Sequence, residues 1–176
     1  MLKILQLIVD TAATVLGGVL LLRFWMQAIR VRPPSSVAQF TFTLSDWLVR
    51  PLRRLVPGVG GYDWASLIGA FLVVLLATAV HLLEGVPGQT VFLLALYRFL
   101  NWILYGFMAL LIIEAIFSWV NPHAPLAPLV RALNDPLLRP LRRVVPLLGG
   151  LDLSLLAALI LLQIAQLLLG LVFGFR

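Results

Sequence analysis

The sequence predicts an all-α membrane protein of about four transmembrane helices, built from two parallel repeats with an amphipathic, Arg-rich hairpin between the spans of each. Three observations carry that reading. The chain has 176 residues, of which 62% are hydrophobic and only 11% charged. A soluble domain carries roughly a quarter charged residues, so this chain has too little charge to cover an aqueous surface. Four apolar stretches each approach the roughly 20 residues that a helix needs to cross hydrocarbon. One segment also occurs twice: RPLRRLVP at 50–57 is matched by RPLRRVVP at 139–146, and the match continues through Gly60, Gly61 and Asp63 against Gly149, Gly150 and Asp152 at the same offset of 89 residues. An ungapped match of that length is an internal duplication.

The first span runs from Ile4 to about Met26, interrupted by Asp10 and ending near Arg23. Lys3 before it resembles the start of a signal peptide, but no clean small-residue cleavage pattern follows, so it reads as a retained helix. The second span is Trp64–Leu83, broken only by His81. The third is Phe99–Val120, with an earlier start near Val91 if Arg98 snorkels to the interface. Asn101 and Glu114 interrupt it. The fourth is Leu153–Phe173, with Gln163 and Gln166 inside it. The short link Glu84–Thr90, with Gly85, Pro87 and Gly88, joins two units spanning 1–87 and 88–176. Because that link is short, the second unit starts on the side where the first started. The repeats are then related by an axis along the membrane normal.

Orientation follows from the arginines. Nine of the 13 basic residues lie in the two long loops: Arg50, Arg53 and Arg54 with Arg30 and Arg32, then Arg139, Arg142 and Arg143 with Arg131. The positive-inside rule places both loops in the cytoplasm and both termini outside. The net charge of +6 is explained by this bias and by anionic lipid; nucleic acid is not expected as a partner.

Within each loop, apolar residues recur at helical spacing against a basic face, as in an interfacial helix. Pro51 and Pro140 are expected to open a second short helix, ended by Pro57 and Pro146. The Arg sets Arg50, Arg53, Arg54 and Arg139, Arg142, Arg143 suit anionic headgroups or an acidic partner protein, or serve only to anchor the loop. Asp63 and Asp152 precede spans after paired glycines. They are expected to cap those helices, with a salt bridge to the arginines as the rival or companion role.

Charges inside spans are functional candidates by default. Shifting the repeat alignment by two residues sets Arg23 opposite Glu114, at equal depth, and predicts an ion pair between them across the pseudo-twofold axis. Asp10 has Lys3, Arg98 or a water-filled entry as neighbours. Ala65/Gly69 and Ser154/Ala158 are small-residue pairs suited to close helix packing. His81 and His123 stand alone, which favours interfacial polar roles over metal or haem ligation. The chain has no cysteine, and none of the usual hydrolase, zinc-protease or phosphate-loop motifs. No catalysis, cofactor or metal is expected.

The residues LRFWMQ at 22–27, FSWVNP at 117–122, DPLLRPLRR at 135–143 and Gly149 to Asp152, with the first-repeat copy, resemble the YggT (YlmG-like) family of bacterial inner-membrane proteins. The resemblance covers nearly the whole chain. This sequence departs from the pattern at Trp47, which stands where the second repeat has Pro136. The resemblance implies no catalytic residues. It implies links to osmotic stress and potassium uptake, cell division and envelope integrity, nucleoid organisation, or cytochrome maturation in plastids. The expected function is a non-enzymatic membrane adaptor or assembly factor whose basic hairpins hold lipid or a partner protein, with homo-oligomers possible. The alternatives are an oligomeric ion-transport component using Glu114, Asp10, Gln163 and Gln166, or a cofactor-assembly factor using His81 or His123.

Overall fold

The computed structural model describes residues 2–145 and 152–174. Six α-helices follow in order: α1 (Leu2–Ala28), α2 (Ser35–Leu55), α3 (Trp64–Thr78), α4 (Gly88–Val120), α5 (Ala127–Leu141) and α6 (Leu153–Phe173). A 3₁₀ helix, Ala79–Glu84, prolongs α3. Four of these elements are long and apolar enough to cross a membrane: α1, α3 with its 3₁₀ extension, α4 and α6. The fourth span has the bounds read from the sequence. The third is longer, at 33 residues, or about 50 Å at 1.5 Å per residue.

The chain forms two compact units, residues 1–30 with 35–103 and residues 31–34 with 104–176. The packing boundary thus falls inside α4, whereas the sequence repeat turns over at 87/88. The first turns of α4 belong with the first unit because their side chains pack there. Phe71 of α3 meets Phe92 and Phe99 of α4 edge-on, with ring centroids 6.0 and 5.4 Å apart. Leu20, Val49, Ala70, Val74 and Ala95 complete that core. In the second unit, Leu111 of α4, Leu138 of α5, and Ala158 and Leu162 of α6 form the core.

The small residues serve packing inside the chain. Ala65 and Gly69, like Ser154 and Ala158, are buried. A β-carbon on Gly69 would come within 3.3 Å of Leu52, so this glycine lets α2 seat on α3. Gly17 is tighter. A β-carbon there would lie 2.3 Å from the Trp102 ring, whereas one on Gly18 meets nothing within 4 Å. Gly17→Ala is therefore expected to destabilise the first unit by about 1–3 kcal/mol through overpacking. Gly18→Ala should be neutral or stabilising by up to about 1 kcal/mol. Thermal unfolding in detergent micelles checks the pair; equal effects would refute the close approach to Trp102.

One expectation is corrected. Among the described residues each basic loop holds one helix, not two short ones. α2 runs through Pro51, and α5 runs through Pro136 and Pro140. All three prolines are exposed. The carbonyls they leave without an amide, those of Trp47, Ala132 and Pro136, therefore lie towards the outward side, where water or headgroups can satisfy them. Pro57 follows the end of α2; Pro146, Gly149 and Gly150 lie outside the described residues.

Candidate functional site

Each repeat gathers its polar residues where the amphipathic helix meets the ends of its spans. In the first repeat the pair Gly60 and Gly61, at φ 69° and 83°, turns the chain so that Asp63 caps α3. Only glycine adopts such φ values without strain. Asp63 is 2% exposed. Its carboxylate accepts from the Ser66 amide at 3.4 Å and the Ser66 hydroxyl at 2.6 Å. Arg53 donates to both of its oxygens, at 3.2 and 2.7 Å, the bidentate geometry that suits a guanidinium. Asp63 is thus both cap and ion-pair partner. Burial disfavours its charge, but the hydrogen bonds from Arg53 and Ser66 and the charges of Arg53 and Arg23 prevail and hold it below the usual carboxylate range.

Arg23, 5% exposed on α1, completes this network. Its Nη1 donates to Ser45 Oγ at 2.6 Å and to Asp46 Oδ1 at 2.7 Å. Its Nε lies 3.4 Å from Asp63, and the Phe42 ring lies 4.8 Å from the guanidinium carbon. The second oxygen of Asp46 takes Arg50, at 2.8 Å. The hydrogen bond from Arg23 is the main reason that Asp46 also titrates below its ordinary value.

The second repeat builds the same network with one charge inverted. Glu114 of α4, 4% exposed, stands where Arg23 stands in the first. Asn134, matching Ser45, donates from Nδ2 to Glu114 at 2.7 Å and to the Leu110 carbonyl at 2.9 Å. Arg142, matching Arg53, reaches Glu114 at 3.1 Å, Asp152 at 3.0 Å and Asp135 at 3.8 Å. Asp152 caps α6, accepting from the Ser154 amide at 3.0 Å and from the Ser154 hydroxyl. Burial again opposes the Asp152 charge, and Ser154 and Arg142 overcome it, keeping its pKa below the usual range. The three carboxylates around Arg142 enclose a guanidinium; among the described residues no group of three or more His, Cys, Asp or Glu is placed to hold a metal ion.

Arg23 and Glu114, expected to pair with each other, each have partners within their own repeat. Arg23 pairs with Asp46 and Asp63, although its buried Nε has no hydrogen-bond partner among the described residues, and Glu114 pairs with Arg142 and Asn134. Each amphipathic helix supplies the complementary charge locally, so neither buried group is left to seek the other. The six motif arginines also divide. Arg53 and Arg142 turn inward onto carboxylates, and Arg50 pairs with Asp46 while staying 78% exposed. Arg54, Arg139 and Arg143 are exposed and make no ion pair among the described residues.

Sequence reasoning did not single out Ser45, Asn134 or Ser66. The available signal was a polar residue on the apolar side of each amphipathic helix, directly before the aspartate of the repeated motif. Of the remaining polar residues in spans, Asp10 takes Arg98 at 2.5 Å, and Arg98 also reaches the Thr78 hydroxyl at 3.3 Å. His81 meets Gln6 at 3.1 Å and Glu84 at 2.8 Å. The His123 backbone amide donates to Asn121. The Gln166 amide nitrogen is buried without a hydrogen-bond partner among the described residues.

Four spans, a duplicated unit and matched polar networks at the loop-side span ends define a multi-pass helical membrane protein with an internal repeat. The CCB3/YggT family pattern matches residues 2–83 and 93–173, and the chain belongs to that family. It is 37% identical to an uncharacterised protein of Pseudomonas aeruginosa, over 92% of this chain and 85% of the relative. It is 34% identical to an uncharacterised protein of Vibrio alginolyticus encoded in the proC 3' region, over 89% and 88%. It is 31% identical to the uncharacterised protein YggT of Escherichia coli K12, over 91% and 86%. No solved structure matches the chain.

Proposed function

We propose that this protein is a non-enzymatic adaptor or assembly factor of the bacterial inner membrane, serving cell division, the envelope or the biogenesis of a membrane complex. Its two basic loops face the cytoplasm and hold lipid headgroups or a partner protein there. The observation that carries this reading is where the unpaired charge lies. All seven acidic residues are among the described residues, and each has a cationic or imidazole partner. Of the basic residues left over, Arg30, Arg32, Arg54, Arg131, Arg139 and Arg143 all lie in the two loops. Among the described residues, every cation that no carboxylate holds lies in these two loops except Lys3, near the start of α1. The intramembrane charges that an ion path would use, Glu114 and Asp10, are already held by Arg142 and Arg98, which favours the adaptor over the transport alternative.

The test is crosslinking and pull-down of the tagged protein from native membranes, beside an Arg54→Glu/Arg139→Glu/Arg143→Glu variant that spares the inward arginines. Division, envelope or biogenesis proteins recovered with the unmodified chain and lost with the variant are the expected result. Recovery of only the protein itself, equally from both, would overturn the reading and direct attention to ion flux.

A further inference from the structure

The two repeats share a motif but do not offer the same surface. In the first, Asp46, Arg50 and Arg54 follow at four-residue spacing, and Asp46 takes Arg50 at 2.8 Å. Among the described residues that leaves Arg54 as the single unpaired guanidinium on α2. In the second, Asp135, Arg139 and Arg143 have the same spacing, but Asp135 leans on Arg142 at 3.8 Å and makes no ion pair with Arg139. The helical turn continues beyond α5, with Arg143 N bonded to Pro140 O and Val145 N to Leu141 O. Arg139 and Arg143 are therefore neighbours on one face, with β-carbons about 5–6 Å apart. Two adjacent guanidiniums with no carboxylate between them repel each other and call for an anion.

We propose that Arg139 and Arg143 grip the phosphate of an anionic phospholipid, and that α5 binds lipid more strongly than α2. The proposal deepens the adaptor reading and rests on it for the side of the membrane. A phosphodiester carries two non-bridging oxygens, so it can accept from both guanidiniums at once. The chain next to the pair points to a lipid over a free anion. Val144, adjacent to Arg143, is 81% exposed. An exposed aliphatic side chain beside the pair favours acyl chains over water. The α5 helix is also held between two spans, which keeps it at the boundary between headgroups and acyl chains.

The experiment uses the full-length protein, purified alone in uncharged detergent and titrated with short-chain phosphatidylglycerol or phosphatidylcholine, with bound lipid counted by native mass spectrometry. Phosphatidylglycerol should bind in preference. Arg139→Gln/Arg143→Gln should weaken it about thirty-fold, the effect of losing two headgroup-facing arginines, and Arg50→Gln/Arg54→Gln only about five-fold, the effect of one. Phosphatidylcholine shares the phosphodiester but its choline cancels the net charge, so its weaker binding should fall less than that of phosphatidylglycerol, and both variants should unfold at nearly the temperature of the parent. Equal weakening by the two double variants would refute the asymmetry. Displacement of phosphatidylglycerol by millimolar inorganic phosphate would make this a free-anion site and overturn the lipid assignment. So would indifference to lipid charge combined with Arg139- and Arg143-dependent binding of a polyglutamate peptide, which would mark a surface for an acidic protein. No partner protein is present in this experiment, so its failure leaves the pull-down result standing.

Discussion

Asp63→Ala is expected to destabilise the first repeat by about 4 kcal/mol. The substitution removes the cap of α3, worth about 1 kcal/mol. It also strips a carboxylate from two guanidiniums, one of them buried, and breaking one partner of a buried pair costs about 3–5 kcal/mol. Arg53 recovers part of its loss because its side chain is 45% exposed and water can reach it. Arg23 cannot, since it is buried against Phe42 and Ser45. Asp63→Asn keeps an oxygen for the Ser66 amide and loses only the charge, so it should fall between. The equivalent Asp152→Ala should cost about half as much, because the Asp152 side chain is 27% exposed. Unfolding followed by helical ellipticity in micelles gives all three values. A loss below about 1 kcal/mol for Asp63→Ala would mean that the guanidiniums find water after all.

Arg142→Gln is the second large effect, at about 2–3 kcal/mol. Among the described residues Arg142 is the only cation facing Glu114, and Glu114 lies six residues inside the end of α4, about 9 Å along the helix. Without Arg142 its buried carboxylate keeps only the amide of Asn134. The figure is set below the usual cost of an orphaned buried charge because Arg142 itself is 39% exposed. The Arg142→Gln/Glu114→Gln double variant should recover at least about 1 kcal/mol of the loss, since groups in one network couple non-additively. Arg139→Gln, in the same motif but without an ion pair, should stay within about 0.5 kcal/mol of the parent. Strictly additive losses at 114 and 142 would contradict the contact between them.

The spans were legible because little besides a membrane-crossing helix requires an apolar run near 20 residues. Leu153–Phe173 is the clearest case, with the same bounds in sequence and structure. The third span was harder. Arg98 looked like an interfacial residue and hid the start of α4 at Gly88, because its ion-pair partner, Asp10, is 88 residues away in the chain. Proline misled at 51 and 140. The rule against proline inside helices assumes a carbonyl that cannot reach water, and on an exposed face that assumption fails. For Arg23 and Glu114 the local partners were what the sequence hid. Repeat symmetry gives depth along a helix, but each residue also turns by about 100° around it, and depth alone does not say which face a side chain takes. The partners that do serve them, Asp46 and Asp63 for one and Asn134 and Arg142 for the other, lay inside the duplicated motif itself.

Because nearly every buried charge is matched within its own repeat, the order in which the chain is synthesised becomes relevant. Arg23 meets Asp46 and Asp63 as soon as the first 63 residues are in place. The first pair of spans can therefore leave the insertion machinery with its buried loop-side charges already compensated. Asp10 is the exception, because its partner Arg98 arrives only with the third span. Until then the nascent first repeat holds one uncompensated carboxylate in its opening helix. The first unit is closed only when the first turns of α4 have been threaded beside it, which is where its packing boundary, between residues 103 and 104, also falls.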